Sequence, residues 1–367
     1  MASSQGLLRV VSGSADTSTD VEIRIDNVAD ADWHAAMCQF ADLHYEQTAV
    51  YGAHKTGEVG SHLMLFKHGR PIAGARLGLY TLPIINRGLA LLRFGPFWRQ
   101  AEGQTSIATY TAFVQALVDE YCTKRKHYLV VRPRAHPEFY PLESAALSDF
   151  GFRADQSTML DRYLVDASLS EAEQRKSLSK RWRYNLKAGE SHALEIRFGE
   201  SPEAMDMFRS LYADMVKRKN LNYPGVDHVE YMPQLILFPE QMKLRVVLAY
   251  KDGEAIAGAA FGVVGDIAYY VFGASTDTGV DLEAGYVLQW KILNWLRENS
   301  NVRWYELGGP GDPGIQQFKK GLAGSKGLLM PIQEFHYCTD LSAELSVKGL
   351  FKLRDLRNSI QRWQRSK

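Results

Sequence analysis

Residues able to do chemistry gather near the end of this 367-residue chain. A loop rich in glycine and proline, Gly308-Gly309-Pro310-Gly311-Asp312-Pro313-Gly314, leads into Phe318-Lys319-Lys320. Such a loop lets the backbone approach a ligand, and a lysine held beside it is a fixed cation. The same residues also read as a solvated lysine pair after an ordinary turn. A second cationic set lies upstream, where residues 175–187 (RKSLSKRWRYNLK) hold six basic side chains and no acid. Lys176, Lys180, Arg183 and Lys187 step by 4, 3 and 4 and predict one helix face, with Arg181 beside them. Leu178, Trp182 and Leu186 occupy another face and would dock the helix. A stripe of one sign repels itself, so it fits a polyanion such as the phosphates of a nucleic acid or precursor; a merely solvated face is the alternative.

Other chemistries are excluded. There is no G-x-S-x-G stretch, and the ten histidines show no metal-binding interval, so neither a serine nucleophile nor a metal is expected. Cys38, Cys122 and Cys338 are far apart and form no CxxC pair, which reads as free thiols in a reducing compartment. No apolar run approaches the roughly 18 residues of a membrane span. Residues 1–20 read as a flexible tail rather than a signal peptide, and the protein is expected to be cytoplasmic. With 43 basic and 42 acidic residues the sum of charge is near zero, which excludes a histone-like protein but hides local patches.

The elements that must position these residues occur twice. At roughly 150 residues per domain, the length predicts two domains. Residues 65–78 (LFKHGRPIAGARLG) and 249–262 (AYKDGEAIAGAAFG) agree at seven of fourteen positions, at an offset of 251 − 67 = 184. Each reads as a β-hairpin turning at His68-Gly69 or Asp252-Gly253. A helical stretch precedes each hairpin, at 32–43 and 202–217. A strand (89–94, 268–272), a helix (107–122, 283–298) and another strand (128–132, 303–307) follow. A repeat this long is a duplicated domain rather than a solenoid unit.

This order of elements resembles the GNAT acyltransferase fold, and two copies in tandem resemble the FemABX aminoacyltransferases. Four local stretches carry the likeness over residues 21–345. They are Gln47-x3-Tyr51-x3-Lys55, Arg93-Phe94-Gly95-Pro96, the helix around Arg183 and Lys187, and Tyr305-Glu306-Leu307-Gly308-Gly309 followed by Phe318-Lys319-Lys320-Gly321. The resemblance implies an α/β fold of two GNAT-like domains, each a mixed twisted sheet flanked by helices, sharing a central cleft. It places domain 1 at 21–165 and domain 2 at 166–345, with a basic linker helix at 175–188, and implies that the last strand and helix return to the first domain. It implies amide-bond formation by aminoacyl transfer from aminoacyl-tRNA to an amine of a peptidoglycan or other cell-envelope precursor. Lys319, next to Phe318, would stabilise the oxyanion of the tetrahedral intermediate. Lys55, Arg183 and Arg218 would hold phosphates of the substrates, with Tyr51, Lys187 and one of Tyr269 and Tyr270 lining the acceptor site. Lys176, Lys180, Arg181, Gly308 and Gly309 would meet the donor. Direct attack by an amine needs no enzyme nucleophile, and no tightly bound cofactor is implied.

Departures from the family pattern keep two alternatives open. Arg99 stands where the family carries an acid after its Gly-Pro turn, and Glu306 replaces an Asp. An acyl-CoA-dependent N-acetyltransferase of an envelope or exopolysaccharide sugar is one alternative, with acyl-CoA as co-substrate. Its phosphate-binding signature is missing from the second repeat and only partly matched by Gln100-Ala-Glu-Gly103-Gln-Thr105 in the first. A non-catalytic sensor of an anionic ligand is the other. Residues 346–367 predict a basic amphipathic helix through Leu350, Leu353, Leu356, Ile360 and Trp363, which would pack on the body or meet an anionic membrane at its inner face.

Overall fold

The computed structural model describes residues 21–53, 58–82, 87–221, 226–309 and 311–352. The described chain forms two compact units. Unit 1 comprises residues up to Met37, Glu46–Met159 and everything from Gln333; unit 2 comprises Cys38–Tyr45 and Leu160–Ile332.

Unit 1 is built on β1 (Val21–Ile25), β2 (Val59–Lys67), β3 (Arg70–Leu82), β4 (Arg87–Arg93) and β5 (Tyr128–Arg132), hydrogen-bonded in that order. β4 and β5 are parallel, and the crossover between them is helix Ile107–Leu117 continued by the π-helical Val118–Lys124. Residues alternate along these strands, so Leu63, Leu65, Ala73, Ala75, Leu77, Ala90 and Leu92 face one side. Tyr110, Phe113, Leu117 and Tyr121 of the crossover cover that side. β6 (Arg153–Asp166) starts in this unit.

Unit 2 repeats the plan. β7 (Glu195–Gly199), β8 (Leu244–Lys251), β9 (Glu254–Val264) and β10 (Ile267–Ser275) form an antiparallel run. Helix Ala284–Asn299 crosses to β11 (Trp304–Glu306), which is parallel to β10 and antiparallel to β6. Val247, Ala249, Ala257, Ala259, Phe261 and Ala268 meet Leu288, Ile292 and Leu293 of the crossover helix. β12 (Leu328–Tyr337) ends in unit 1, where Phe335, His336 and Tyr337 pair with Val131, Val130 and Leu129 of β5.

The two hairpins match in detail. Both turns have positive φ at both central residues, 50° and 75° at His68-Gly69, 51° and 86° at Asp252-Gly253, as tight two-residue hairpin turns require. Both carry a register shift just before the turn, between Leu65 and Phe66 and between Ala249 and Tyr250. Since 65 + 184 = 249, the irregularity recurs at the offset of the sequence repeat.

Some elements differ from the sequence expectation. The helix expected at 32–43 is Asp30–Met37. It stops early because residues 38–45 pack with unit 2, where the Asp266 amide donates to the Ala41 carbonyl at 2.7 Å. The main stretch of unit 2 is Leu160–Ile332, where the sequence reading has 166–345, and Cys38–Tyr45 joins it. The basic stretch 175–187 is not one helix. Helix Glu171–Ser177 opens with a capping box of Ser170 and Glu173, then Leu178 turns extended and Ser179 caps a new helix, Lys180–Ser191. Lys176 is therefore on a different helix from Lys180, Arg183 and Lys187. Of the C-terminal segment only residues to 352 are described; the helix starts at 341, and Val347 and Phe351 pack with Tyr128 and Val130 in unit 1. Leu353, Leu356, Ile360 and Trp363 lie outside the described residues.

Candidate active site

The site in unit 2 starts from a strand geometry. β10 and β11 are parallel only from Ile267 and Trp304 to Tyr269 and Glu306. β11 then ends, whereas β10 passes a register shift between Tyr270 and Phe272 and runs on to Ser275. A gap therefore opens at the carboxyl ends of a parallel pair, the usual place for a ligand in an α/β sheet. Gly308, at φ 73°, turns the chain away from β11. Helix Pro313–Ala323 then begins, capped by the Asp312 side chain on the Ile315 amide, with Pro313 in its first turn.

Lys319 lies on the inner face of that helix and is only 8% exposed. Its ammonium donates to the carbonyl of Gly309. Arg162 of β6 pairs with Glu306 at 3.1 Å, and both side chains are largely enclosed. Burial, helped by the Arg162 guanidinium, lowers the Lys319 pKa to about 8 against the opposing pull of the Glu306 carboxylate. The outcome is an enclosed lysine cation, held at a glycine turn, that loses its proton at mildly alkaline pH.

The neighbouring residues serve as its frame. Phe318 packs edge-on to Tyr286 at 4.9 Å and against Trp182 at 5.7 Å, so it anchors the helix instead of facing a ligand. The Gly321 carbonyl accepts from the Ser179 amide at 3.1 Å, tying the Lys319 helix to the start of the basic one. Tyr305 is fully buried, and its hydroxyl donates to Gln289 at 2.9 Å.

The remaining expected residues are distributed as follows. Lys176, Lys180, Arg181, Arg183 and Lys187 are all exposed. Arg181 donates to Gln317 at 3.2 Å on the Lys319 helix. Arg183 donates to the carbonyls of Lys176 and Leu178, closing the break between the two basic helices. Tyr269 is 2% exposed and points its hydroxyl at the Leu43 carbonyl, 3.4 Å away, which makes it a core residue. Tyr270 is half-buried, and a Cβ on Gly308 would stand 3.9 Å from its carbonyl oxygen. Arg218 ends helix Pro202–Arg218, pairs with Asp277 and donates to the Ser275 carbonyl. Ser275 is six residues along β10 from Tyr269, about 20 Å by strand rise, so Arg218 sits toward the far end of that strand. Lys55 lies outside the described residues.

In unit 1 the motif around Gln47 has a structural role. Gln47 donates to the carbonyls of Arg93 at 2.6 Å and Arg76 at 3.2 Å, and accepts from the Arg76 amide at 2.8 Å. Two stretches 46 residues apart in sequence are thereby joined, next to the cis Gly95-Pro96 bond. Tyr51 is buried nearby, 4% exposed. Sequence reasoning missed what this frame encloses. The Glu58 side chain is fully enclosed and takes Arg76 at 2.9 Å, Tyr80 at 2.7 Å and Arg93 at 2.8 Å. Arg99 is 5% exposed, with its guanidinium 3.7 Å over the Phe139 ring. Among the described residues no cluster fits a metal, and no helix is long and apolar enough to cross a membrane.

Comparison with known proteins agrees with this fold. A family model described as an acetyltransferase (GNAT) domain matches residues 172–320, the stretch that contains the Lys319 site. No curated protein matches the chain by sequence. The crystal structure of FemX is similar over 90% of this chain and 99% of its own, with a TM-score of 0.69 at 14% identity. The structure of L-PGS from Bacillus licheniformis is similar over 88% and 95%, with a TM-score of 0.54 at 12% identity. A domain described as lysylphosphatidylglycerol synthetase, from Agrobacterium fabrum, gives 87%, 95% and 0.57 at 14% identity. At such identities the likeness is one of fold. The fold is thus GNAT-like α/β, and within it residues 172–320 match the acetyltransferase (GNAT) domain model.

Proposed function

We propose that this protein forms an amide bond by moving an aminoacyl group from aminoacyl-tRNA to an amine of a peptidoglycan or other cell-envelope precursor. The observation that carries the reading is Lys319, an enclosed cation at the Gly308-Gly309 turn, at the open end of β10 and β11. The amine attacks the ester carbonyl, the carbonyl oxygen takes the negative charge, and Lys319 stabilises it. Collapse expels the ribose hydroxyl, which takes the proton given up by the amine. The exposed basic helix with Lys180, Arg181, Arg183 and Lys187 supplies a surface for the tRNA phosphates. FemX and the lysylphosphatidylglycerol synthetase, similar in fold, support an envelope precursor or lipid as acceptor. A cytoplasmic place at the inner face of the membrane fits such an acceptor. Exposed Leu341, Leu345 and Leu350 on the C-terminal helix suit peripheral contact there.

The GNAT family match favours a second reading, N-acylation of an envelope or exopolysaccharide sugar from acyl-CoA. One feature of unit 2 weighs against it. GNAT enzymes seat the CoA pyrophosphate on the free amides at the start of the crossover helix. Here the basic helix packs on that start: a Cβ on Gly189 would meet the Glu283 carbonyl at 3.0 Å and the Val287 side chain at 2.7 Å. Incubating the protein with an envelope precursor and either charged tRNA or acetyl-CoA separates the readings by product mass. Aminoacyl addition from charged tRNA is expected. Acylation from acetyl-CoA alone would replace the first reading by the second.

A further inference from the structure

We infer that unit 1 carries a binding site for a phosphoryl-bearing anion at the end of its sheet where β4 and β5 begin. A cavity of about 450 Å³ opens there. Thr81 of β3, Arg87 of β4, Lys124 at the end of the π-helix, and Arg125, Lys126 and His127 between it and β5 line it. Because β4 and β5 are parallel, this is the amino end of the pair. The 94–106 loop leaves from the opposite end. The cavity is thus distinct from any ligand seated at the carboxyl end of those strands, and it lies in a different unit from Lys319.

Its charge is one-sided. Four of those six lining residues are permanent cations. Glu120 accepts from Lys124 at 3.2 Å and from Arg125 at 2.8 Å, Asp26 takes Arg125 at 2.8 Å, and Asp340 takes Arg87 at 3.1 Å. Among the described residues three carboxylates pair with three of these four cations, and none of the three carboxylates lines the cavity. Lys126 is exposed, sits at φ 55° and has no ion pair among the described residues. His127 turns Nδ1 to the Arg125 carbonyl at 2.8 Å, so that nitrogen donates, and its Nε2 stands 3.5 Å from the Thr81 hydroxyl. Burial lowers its pKa, so the ring offers hydrogen bonds without charge at neutral pH.

A phosphoryl group matches this wall better than a carboxylate. It brings three acceptor oxygens and up to two charges to donors spread around a cavity. The volume lies within the range of about 300–1,000 Å³ that takes a small molecule, so a phosphate ester or diphosphate fits better than a lone ion. A soluble phosphate ester and a phospholipid headgroup share this chemistry.

Calorimetric titration of the full chain with inorganic pyrophosphate tests the site. Lys124→Gln/Lys126→Gln is the comparison, since Lys124 is 69% exposed and Lys126 also faces solvent, so both replacements leave the fold intact. Wild type is expected to bind with an affinity that falls as salt rises, and the double variant to bind about tenfold more weakly or worse. Co-sedimentation with vesicles of phosphatidylglycerol and phosphatidylcholine distinguishes the source. Displacement of bound vesicles by pyrophosphate assigns a lipid headgroup; pyrophosphate binding without such displacement assigns a soluble ester. No pyrophosphate binding by wild type, or equal affinity in the double variant, overturns the site.

Discussion

Arg162 holds Glu306 at 3.1 Å, and the two act in opposite senses on the buried Lys319. The arginine pushes the lysine toward its neutral form and the carboxylate pulls it back. Burial is the main cause of the lowered lysine pKa, and the ion pair adjusts the pH at which the cation is present.

That balance predicts a pH profile. The cation that stabilises an oxyanion is the protonated lysine, so turnover should fall as pH rises through about 8. Glu306→Gln should move this fall to lower pH by removing the attraction, in a plot of kcat against pH. The stability sign is the reverse. The folded pKa lies below the unfolded one, so the native state binds fewer protons between about 8 and 10.5, and Lys319 makes stability rise across that window.

Breaking the pair from one side should be costly. Arg162→Met leaves the Glu306 carboxylate, 3% exposed, without its guanidinium. A loss of about 3–5 kcal/mol in denaturant unfolding is expected, most of it recovered in Arg162→Met/Glu306→Gln. An additive double-variant cycle would show that the two do not work as a unit.

Gln47 should matter for stability and not for chemistry. Gln47→Leu removes three hydrogen bonds to Arg76 and Arg93 and leaves their backbone groups buried. At about 1 kcal/mol per bond, with more for unsatisfied groups, the melting temperature should drop by several degrees. Far-ultraviolet circular dichroism at the starting temperature should be unchanged.

Acid should loosen the last strand of unit 1. Glu334 of β12 is half-buried, which raises its pKa, but His336 and Arg132 outweigh this and bring it to about 2. Its depressed pKa contributes stability that is full above the ordinary carboxylate value near 4.5 and is lost as pH falls toward about 2. Glu334→Gln should flatten unfolding free energy against pH across that interval.

The features legible in the sequence were those fixed by neighbours along the chain. Asp252-Gly253 and His68-Gly69 dictate tight turns wherever they sit, so both hairpins and the repeat could be read. The caps at Ser170-x-x-Glu173 and Ser179 mark the break that divides the basic stretch, which the sequence reading gives as one helix. Lys319 could be singled out by its loop and its resemblance, but its enclosure could not. Arg162 comes from a strand 157 residues earlier in the chain (319 − 162), and only β6 pairing with β11 brings it to Glu306. Glu58 is similar, gathering Arg76, Tyr80 and Arg93 from two strands. Tyr269 and Tyr270 differ by one position, and packing against residues 43–44 decides which is core.

The most direct test of Lys319 as the oxyanion-stabilising cation is single-turnover product formation from charged tRNA and an envelope precursor, by wild type and Lys319→Ala. A fall of about 10²–10³ in rate with donor affinity retained is predicted. An unchanged rate in a folded Lys319→Ala protein would contradict it.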